Sequence, residues 1–258
     1  MRANGDGCGP QVTDLKPATR NPQHTTRDMK NKSLFITGTN TGVGKTAVCA
    51  CLARFLRDKG INVGIQKWVS TGNKHTSKDI EYCLRLLEKK ENERDDPALL
   101  FPYTFAFPSS PHLAAALEGE KINRDRIRQS YHILSQKYDF LLVEGIGGVM
   151  VPLSRDDLLI DLVAELGLPV VIITYSGLGT INHTLLTIEA LRHRNIKILG
   201  LIFNFADEDN KIIEEDNITI ISHIGKIRSF GSLPKVDSME ALIEVFKPIG
   251  ENILHAID

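Results

Sequence analysis

The stretch Gly38-Thr39-Asn40-Thr41-Gly42-Val43-Gly44-Lys45-Thr46 carries the residue types that hold a polyphosphate. Glycines let backbone N–H groups converge on phosphate oxygens, and a helix N-terminus behind them adds positive potential. A lysine placed as Lys45 is reaches the β- and γ-phosphates of a nucleotide, and a hydroxyl placed as that of Thr46 binds Mg2+. The loop is one residue longer than the common G-x-x-x-x-G-K-[ST] form, because Gly38 lies one position early. Two further charged residues suit the same chemistry. Lys67 ends the apolar run that starts at Ile61, and Glu144 ends the run Phe140–Val143 and opens Gly145-Ile146-Gly147-Gly148. In parallel sheets the carboxyl ends of strands face the ligand crevice. Lys67 is therefore aimed at the phosphate side, and Glu144 stands where a second magnesium-holding acid belongs. Asp79, by contrast, falls in the first turn of a helix capped by Ser77, and on pattern alone it compensates the helix dipole. His112 reads as a structural, hydrogen-bonded histidine. Gly177 to His183 places glycines ahead of a helix, a further anion site.

These residues need a scaffold, and the hydrophobic pattern describes one. Leu34–Ile36 is a strand, and Val48, Cys51, Leu52, Phe55 and Leu56 recur at helical spacing after the loop, up to a stop at Lys59-Gly60. Strands follow over 61–67, 139–143, 170–174, 198–203 and 218–221, with helices over 77–87, 123–137, 158–166, about 180–193 and 237–247. The charged run 88–97 is a solvated helix end and loop. The aromatic and proline-rich segment 101–112 reads as an ordered loop, with Pro111 opening a short helix that ends near Gly119. Continuous apolar strands separated by helices indicate an α/β fold: a mostly parallel sheet covered by helices on both faces.

Composition excludes other classes. The chain of 258 residues is 42% hydrophobic and carries a net charge of −1, which argues against a broad nucleic-acid face. No apolar run reaches the length of a membrane span. Residues 1–32 are polar and almost without large apolar side chains, so a disordered tail is expected there and a single domain over 33–258. The tail lacks the apolar stretch of a signal peptide, and the expected location is cytoplasmic. The four cysteines, Cys8, Cys49, Cys51 and Cys83, show no zinc-type spacing and read as free thiols.

From about Ser33 onward the chain resembles the dethiobiotin synthetases, a family of P-loop enzymes. The resemblance is carried by Thr37 to Thr46, by Lys67 with Val69 and Gly72, by Pro102-Tyr103-Thr104-Phe105 and by Pro108-Ser109-Ser110-Pro111-His112. It continues in Val143 to Gly148, Pro152-Leu153-Ser154 and Gly179-Thr180-Ile181-Asn182-His183. The longer phosphate loop is the form this family uses. The resemblance implies a P-loop NTPase-like three-layer α/β/α fold. It also implies an ATP-dependent cyclo-ligase that joins CO2 to 7,8-diaminononanoate and closes a ureido ring, giving dethiobiotin, ADP and phosphate.

Residue by residue, the resemblance implies that Lys67 and Lys45 are catalytic and that Thr46, Asp79 and Glu144 hold Mg2+. ATP is then held by Gly42, Val43, Gly44, Lys45, Thr46, Ala47, Asp79, Glu144, Gly145, Ile146, Gly147, the adenine-reading Asn204, and an altered adenine loop of Arg228, Ser229 and Phe230. The diamine meets Thr41, Lys67, Thr71, Ser110 and Gly147. Its carboxylate is captured by Gly179, Thr180, Ile181 and Asn182 of a second subunit, which implies a homodimer. Trp68 stands where the family usually has proline, and Phe205 where aspartate is common; Trp68 is expected to alter the lysine's approach or the pocket wall. Partition-type ATP switches carry a second lysine near the start of the loop, absent from Gly38-Thr39-Asn40. Amidating relatives of the cobyrinic acid diamide synthase type carry an added glutaminase domain, for which this chain is too short.

Overall fold

The computed structural model describes residue 1, residues 30–204 and residues 211–257. Cys8, Phe205 and nearly all of the 1–32 tail lie outside them. In chain order the elements are β1 (Lys32–Gly38), α1 (Lys45–Asp58), β2 (Val63–Lys67), β3 (Val69–Thr71), α2 (Lys78–Leu86), α3 (Pro97–Leu100), β4 (Tyr103–Phe105), α4 (Pro111–Leu117) and α5 (Arg124–Lys137). They continue with β5 (Phe140–Gly148), α6 (Leu159–Glu165), β6 (Val170–Tyr175), α7 (Thr180–His193), β7 (Ile198–Asn204), α8 (Lys211–Gly225), β8 (Ser229–Leu233) and α9 (Met239–Ile257).

Six strands form one parallel sheet in the order β2-β5-β1-β6-β7-β8. The apolar stretches Leu34–Ile36, Phe140–Val143 and Val170–Ile173 of the central strands are fully buried because helices cover both faces. After β1 the chain goes out to β2 on one side, and it later returns to β6 on the other. The crevice above the carboxyl end of β1 is therefore the topological switch point, where ligands of such sheets bind. The phosphate loop between β1 and α1 occupies it.

In the scaffold the structure departs from the sequence expectations in four places, with further departures at the site. Ile218-Thr219-Ile220-Ile221 is not a strand but the middle of α8. Glu214, Asn217 and Ile221 are buried at spacings of three and four, a helical face, and a parallel β7-to-β8 crossover needs a long connection. The segment 101–112 is not loop throughout: β4 pairs in parallel with β3, with Tyr103 and Phe105 buried and Thr104 turned outward. Pro102 and Pro108 flank this short ladder and so remove no bond from it. The last helix does not end at 247 but runs through Pro248 to Ile257. An internal proline costs about 3 kcal/mol, and burying Ile249, Ile253 and Leu254 at about 1.5–3 kcal/mol each outweighs it. Finally, Trp68 is not a pocket wall. Its ring is buried 5.2 Å from that of Phe35, and Nε1 donates to Gln66 Oε1 at 3.0 Å. Gln66 Nε2 in turn donates to Leu99 O and Ser130 Oγ, so the indole belongs to a satisfied core network.

Candidate active site

The phosphate loop is shaped by a left-handed residue at its end. Gly44 has φ 95° and precedes α1 without a side-chain cap, which leaves the first N–H groups of the helix for a ligand. A Cβ on Gly44 would come within 2.3 Å of Asn204 Nδ2 and displace that side chain, and the positive φ itself favours glycine. Asn204, at the end of β7, donates through that nitrogen to Val43 O at 3.1 Å and clamps the loop from the neighbouring strand. Lys45 curls back, with Nζ donating to Asn40 O at 2.8 Å.

Sheet register supplies the acid and the second lysine. Lys67 at the end of β2 is the ladder partner of Glu144 on β5. Lys67 Nζ lies 2.8 Å from Glu144 Oε1 and 2.5 Å from Asp79 Oδ2. Thr46 Oγ1 lies 2.8 Å from Glu144 Oε1 and 3.0 Å from Asp79 Oδ1. Ser77 Oγ accepts from Ile80 N and fixes the first turn of α2, which brings Asp79 in. The Asp79 side chain thus faces the cluster and does more than compensate a dipole. Lys67 and Glu144 are 5% and 2% exposed, and burial of this depth is tolerated because each charge is paired. With Lys45 and Asp79 included, the four charges sum to zero.

Electrostatics separate the two lysines. Burial, aided by the like charge of Lys67, lowers the Lys45 pKa to about 8, while Glu144 and Asp79 oppose the shift. Burial also works against the Lys67 ammonium, but Glu144 and Asp79 outweigh it and raise its pKa. Burial likewise opposes the Asp79 carboxylate, and the Lys67 ammonium prevails and holds it below the ordinary range. Lys67 is therefore a fixed positive charge and not a proton acceptor, whereas Lys45 titrates within reach of neutral pH.

A cavity of about 590 Å3 opens on this cluster. Thr41, Gly42, Gly44, Lys45, Thr46 and Ala47 line it from the loop, Lys67 and Thr71 from β2 and β3, Asp79 from α2, and Glu144, Ile146 and Gly147 from β5. Lys78 and Tyr82 line it too, and the sequence reading missed them. Tyr82 lies one turn after Asp79 on α2, and that spacing was the available signal. A smaller cavity, about 250 Å3, lies across the loop between Thr41, Gly42 and Val43 and the start of α7, where Leu178, Thr180 and His183 line it.

Residues 32–242 match the family described as an AAA domain. The chain is 39% identical over 212 residues to the ATP-dependent dethiobiotin synthetase BioD of Methanocaldococcus jannaschii, covering 80% of this chain and 96% of that protein. It is 38% identical over 209 residues to the protein of that name from Chlorobaculum tepidum, covering 81% of this chain and 87% of the relative. The chain belongs to the dethiobiotin synthetase family. A ParA family ATPase from Chlorobium tepidum superposes with a TM-score of 0.53 at 17% identity, covering 89% of this chain and 98% of that one, and shares the fold.

Several expected site residues are placed elsewhere. Ser110 does not line the large cavity; its Oγ lies 3.0 Å from His112 Nδ1, ahead of α4. Gly145 turns inward, and a Cβ there would meet the Phe35 ring at 2.9 Å. Arg228, Ser229 and Phe230 are not a loop over the nucleotide site. Leu201 pairs with Ser229 and Asn204 with Leu233, so these residues lie at the amino end of β8, away from the phosphate loop. Phe230 is buried against Gly200. The residues next to Asn204 at the crevice end are Leu233 and, after it, Pro234. Gly179, with φ 85°, precedes α7 without a side-chain cap, Asn182 is exposed, and Ile181 packs toward the core. Thr180 is buried, its hydroxyl 2.8 Å from that of Thr174.

The donor set fits Mg2+, which favours oxygen ligands. Two carboxylates and the Thr46 hydroxyl converge, and Glu144 Oε2 is buried with no hydrogen-bond partner among the described residues. Such an atom is costly unless something pairs with it. Among the described residues no helix is long and apolar enough to cross a membrane.

Proposed function

We infer that this chain forms dethiobiotin from 7,8-diaminononanoate and CO2 with ATP as co-substrate, in biotin biosynthesis. The observation that carries this reading is a buried, permanently charged Lys67 that opens into the same cavity as the phosphate loop. A simple ATP switch has no need of a second cation at that point. The loop N–H groups and Lys45 hold the triphosphate, and Thr46, Asp79 and Glu144 hold Mg2+. When bound, that ion supplies positive charge to the phosphate oxygens.

The diamine lies beside Thr41, Thr71 and Gly147. One of its amines takes up CO2 as a carbamate. Lys67 then orients the carbamate oxygen toward the γ-phosphorus and balances the charge gathered between the two anions. The oxygen attacks, ADP leaves, and a carbamic-phosphoric anhydride results. The second amine attacks the anhydride carbon and expels phosphate as the ring closes. Asn204 and the Leu233-Pro234 end of β8 border the adenine. The carboxylate of the diamine sits at the N-terminus of α7 from the partner in a homodimer, where the free helix N–H groups favour an anion.

The test is ADP release by purified protein with Mg-ATP and bicarbonate, with and without the diamine, and the product mass. Diamine-dependent ADP and a product of dethiobiotin mass are expected. ATP turnover indifferent to the diamine would overturn the reading.

A further inference from the structure

Thr46 and Asp79 each have a cysteine one turn further along their helix. Cys49 follows Thr46 by three residues on α1, and Cys83 follows Asp79 by four on α2. Residues at these spacings share a helix face, so the two thiols form a layer directly behind the charged cluster. Both are free and fully buried. Their sulfurs and a carboxylate oxygen of Glu144 all lie within 4.8 Å of one another. Cys83 Sγ also approaches Thr46 O, at 4.0 Å.

Glu144 is used unevenly. Its Oε1 takes both Lys67 and Thr46, whereas Oε2 is buried and has no hydrogen-bond partner among the described residues. The carboxylate thus stands between two kinds of donor. On one side are the oxygens of Thr46 and Asp79, which suit a hard cation. On the other are two sulfurs, which a hard cation does not choose and which zinc-class ions do. Spacing along the chain concealed this set, since its members come from two helices and a strand.

We propose that Cys49, Cys83 and Glu144 form a binding site for a zinc-class divalent cation, which takes Glu144 from the magnesium side and thereby inhibits ATP turnover. Coordination replaces two S–H bonds by two metal–thiolate bonds and releases the two protons to solvent. Binding itself is independent of the reaction inferred above; only the inhibition rests on it.

The test is a Cd2+ titration of the purified full-length chain without nucleotide, followed by the thiolate-to-cadmium charge-transfer band, with Zn2+ as competitor. An equimolar band that Zn2+ reverses is expected. Cys49→Ala and Cys83→Ala should each weaken it by about tenfold or more, while Cys8→Ala and Cys51→Ala leave it unchanged. Cys49→Ser and Cys83→Ser, closer in volume, replace any alanine variant that fails to fold. In parallel, Zn2+ should inhibit diamine-dependent ADP release under saturating Mg2+, and Cys83→Ser should keep the turnover and lose the zinc sensitivity. Absence of the band, its survival in both the Cys49 and Cys83 variants, or unchanged zinc inhibition in Cys83→Ser would each overturn the proposal. If no diamine-dependent turnover exists, the inferred reaction fails, and the cadmium band still decides this site.

Discussion

Lys45 and Lys67 lie in one cavity with opposite electrostatic histories, and this difference is testable. Lys67→Ala removes the charge proposed to face the carbamate. Turnover should fall by about 10²–10³-fold, as for loss of one transition-state donor, with ATP affinity nearly kept; Lys45→Ala should lose the affinity instead. Equilibrium nucleotide binding set beside steady-state kinetics separates the two, and an equal loss of affinity in both variants contradicts the assignment. Lys45 also sets a pH dependence. With its pKa lowered to about 8, it is charged below that pH and neutral above it. Bound phosphates need the charged form, so ATP binding above pH 8 takes up a proton. Affinity should then fall by up to about tenfold per pH unit, and calorimetric titration in buffers of different ionisation enthalpy would report the proton. A flat affinity between pH 7 and 10 would place the charge elsewhere. The chemistry of these residues was legible in the sequence because Gly-Lys-Thr after a strand, and acids or lysines at strand ends, carry their own context. Cys49 and Cys83 were not legible as a pair, because helix packing joins them.

Elements were read well where one local signal dominated and poorly where packing decided. The Ser77 cap marked its helix start, and its side chain accepts a backbone N–H as expected; Asn123, expected only as the approximate start of its helix, also accepts one. Ile218 to Ile221 misled because β-branched residues favour strands locally, while the burial that makes them helical comes from Glu214 and Asn217, which a hydrophobic pattern cannot count. The register of β8 was beyond local reading altogether, and with it went the residues assigned to the adenine loop. On α9, Gly250 tests which effect wins. Alanine is better than glycine in a helix by about 0.5–1 kcal/mol. A Cβ at 250 would, however, meet the Phe55 ring at 2.7 Å on the α1–α9 contact. Crowding in a packed interior costs about 1–3 kcal/mol, so Gly250→Ala should lower stability by about 1–2 kcal/mol in urea unfolding. A stabilised variant would show that α9 can slide away from α1.

At the scale of the whole molecule, the outward face of α7 is where the proposed carboxylate site and the proposed subunit contact would meet. Leu186 lies one turn after Asn182 and is 61% exposed, and Leu178, just before the helix, is 88% exposed. Leu186→Glu should produce a monomer in sedimentation, raise KM for the diamine and leave ATP affinity unchanged. A dimer with ordinary KM would remove α7 from the interface. The strand and helix pattern had already indicated a layered α/β fold with a mostly parallel sheet; what it could not supply was the order of strands, which is settled by long-range pairing. That order has a consequence for how the two charges are held together. Lys67 meets Glu144 as direct partners on adjoining strands of one hydrogen-bond ladder. A slip of one residue would present Gln66 or Trp68 there and turn the ammonium to the opposite face. No half-slipped arrangement exists between those two. The ammonium and the carboxylate are therefore brought together by the pairing of β2 as a whole, and they separate only when that strand comes away from the sheet.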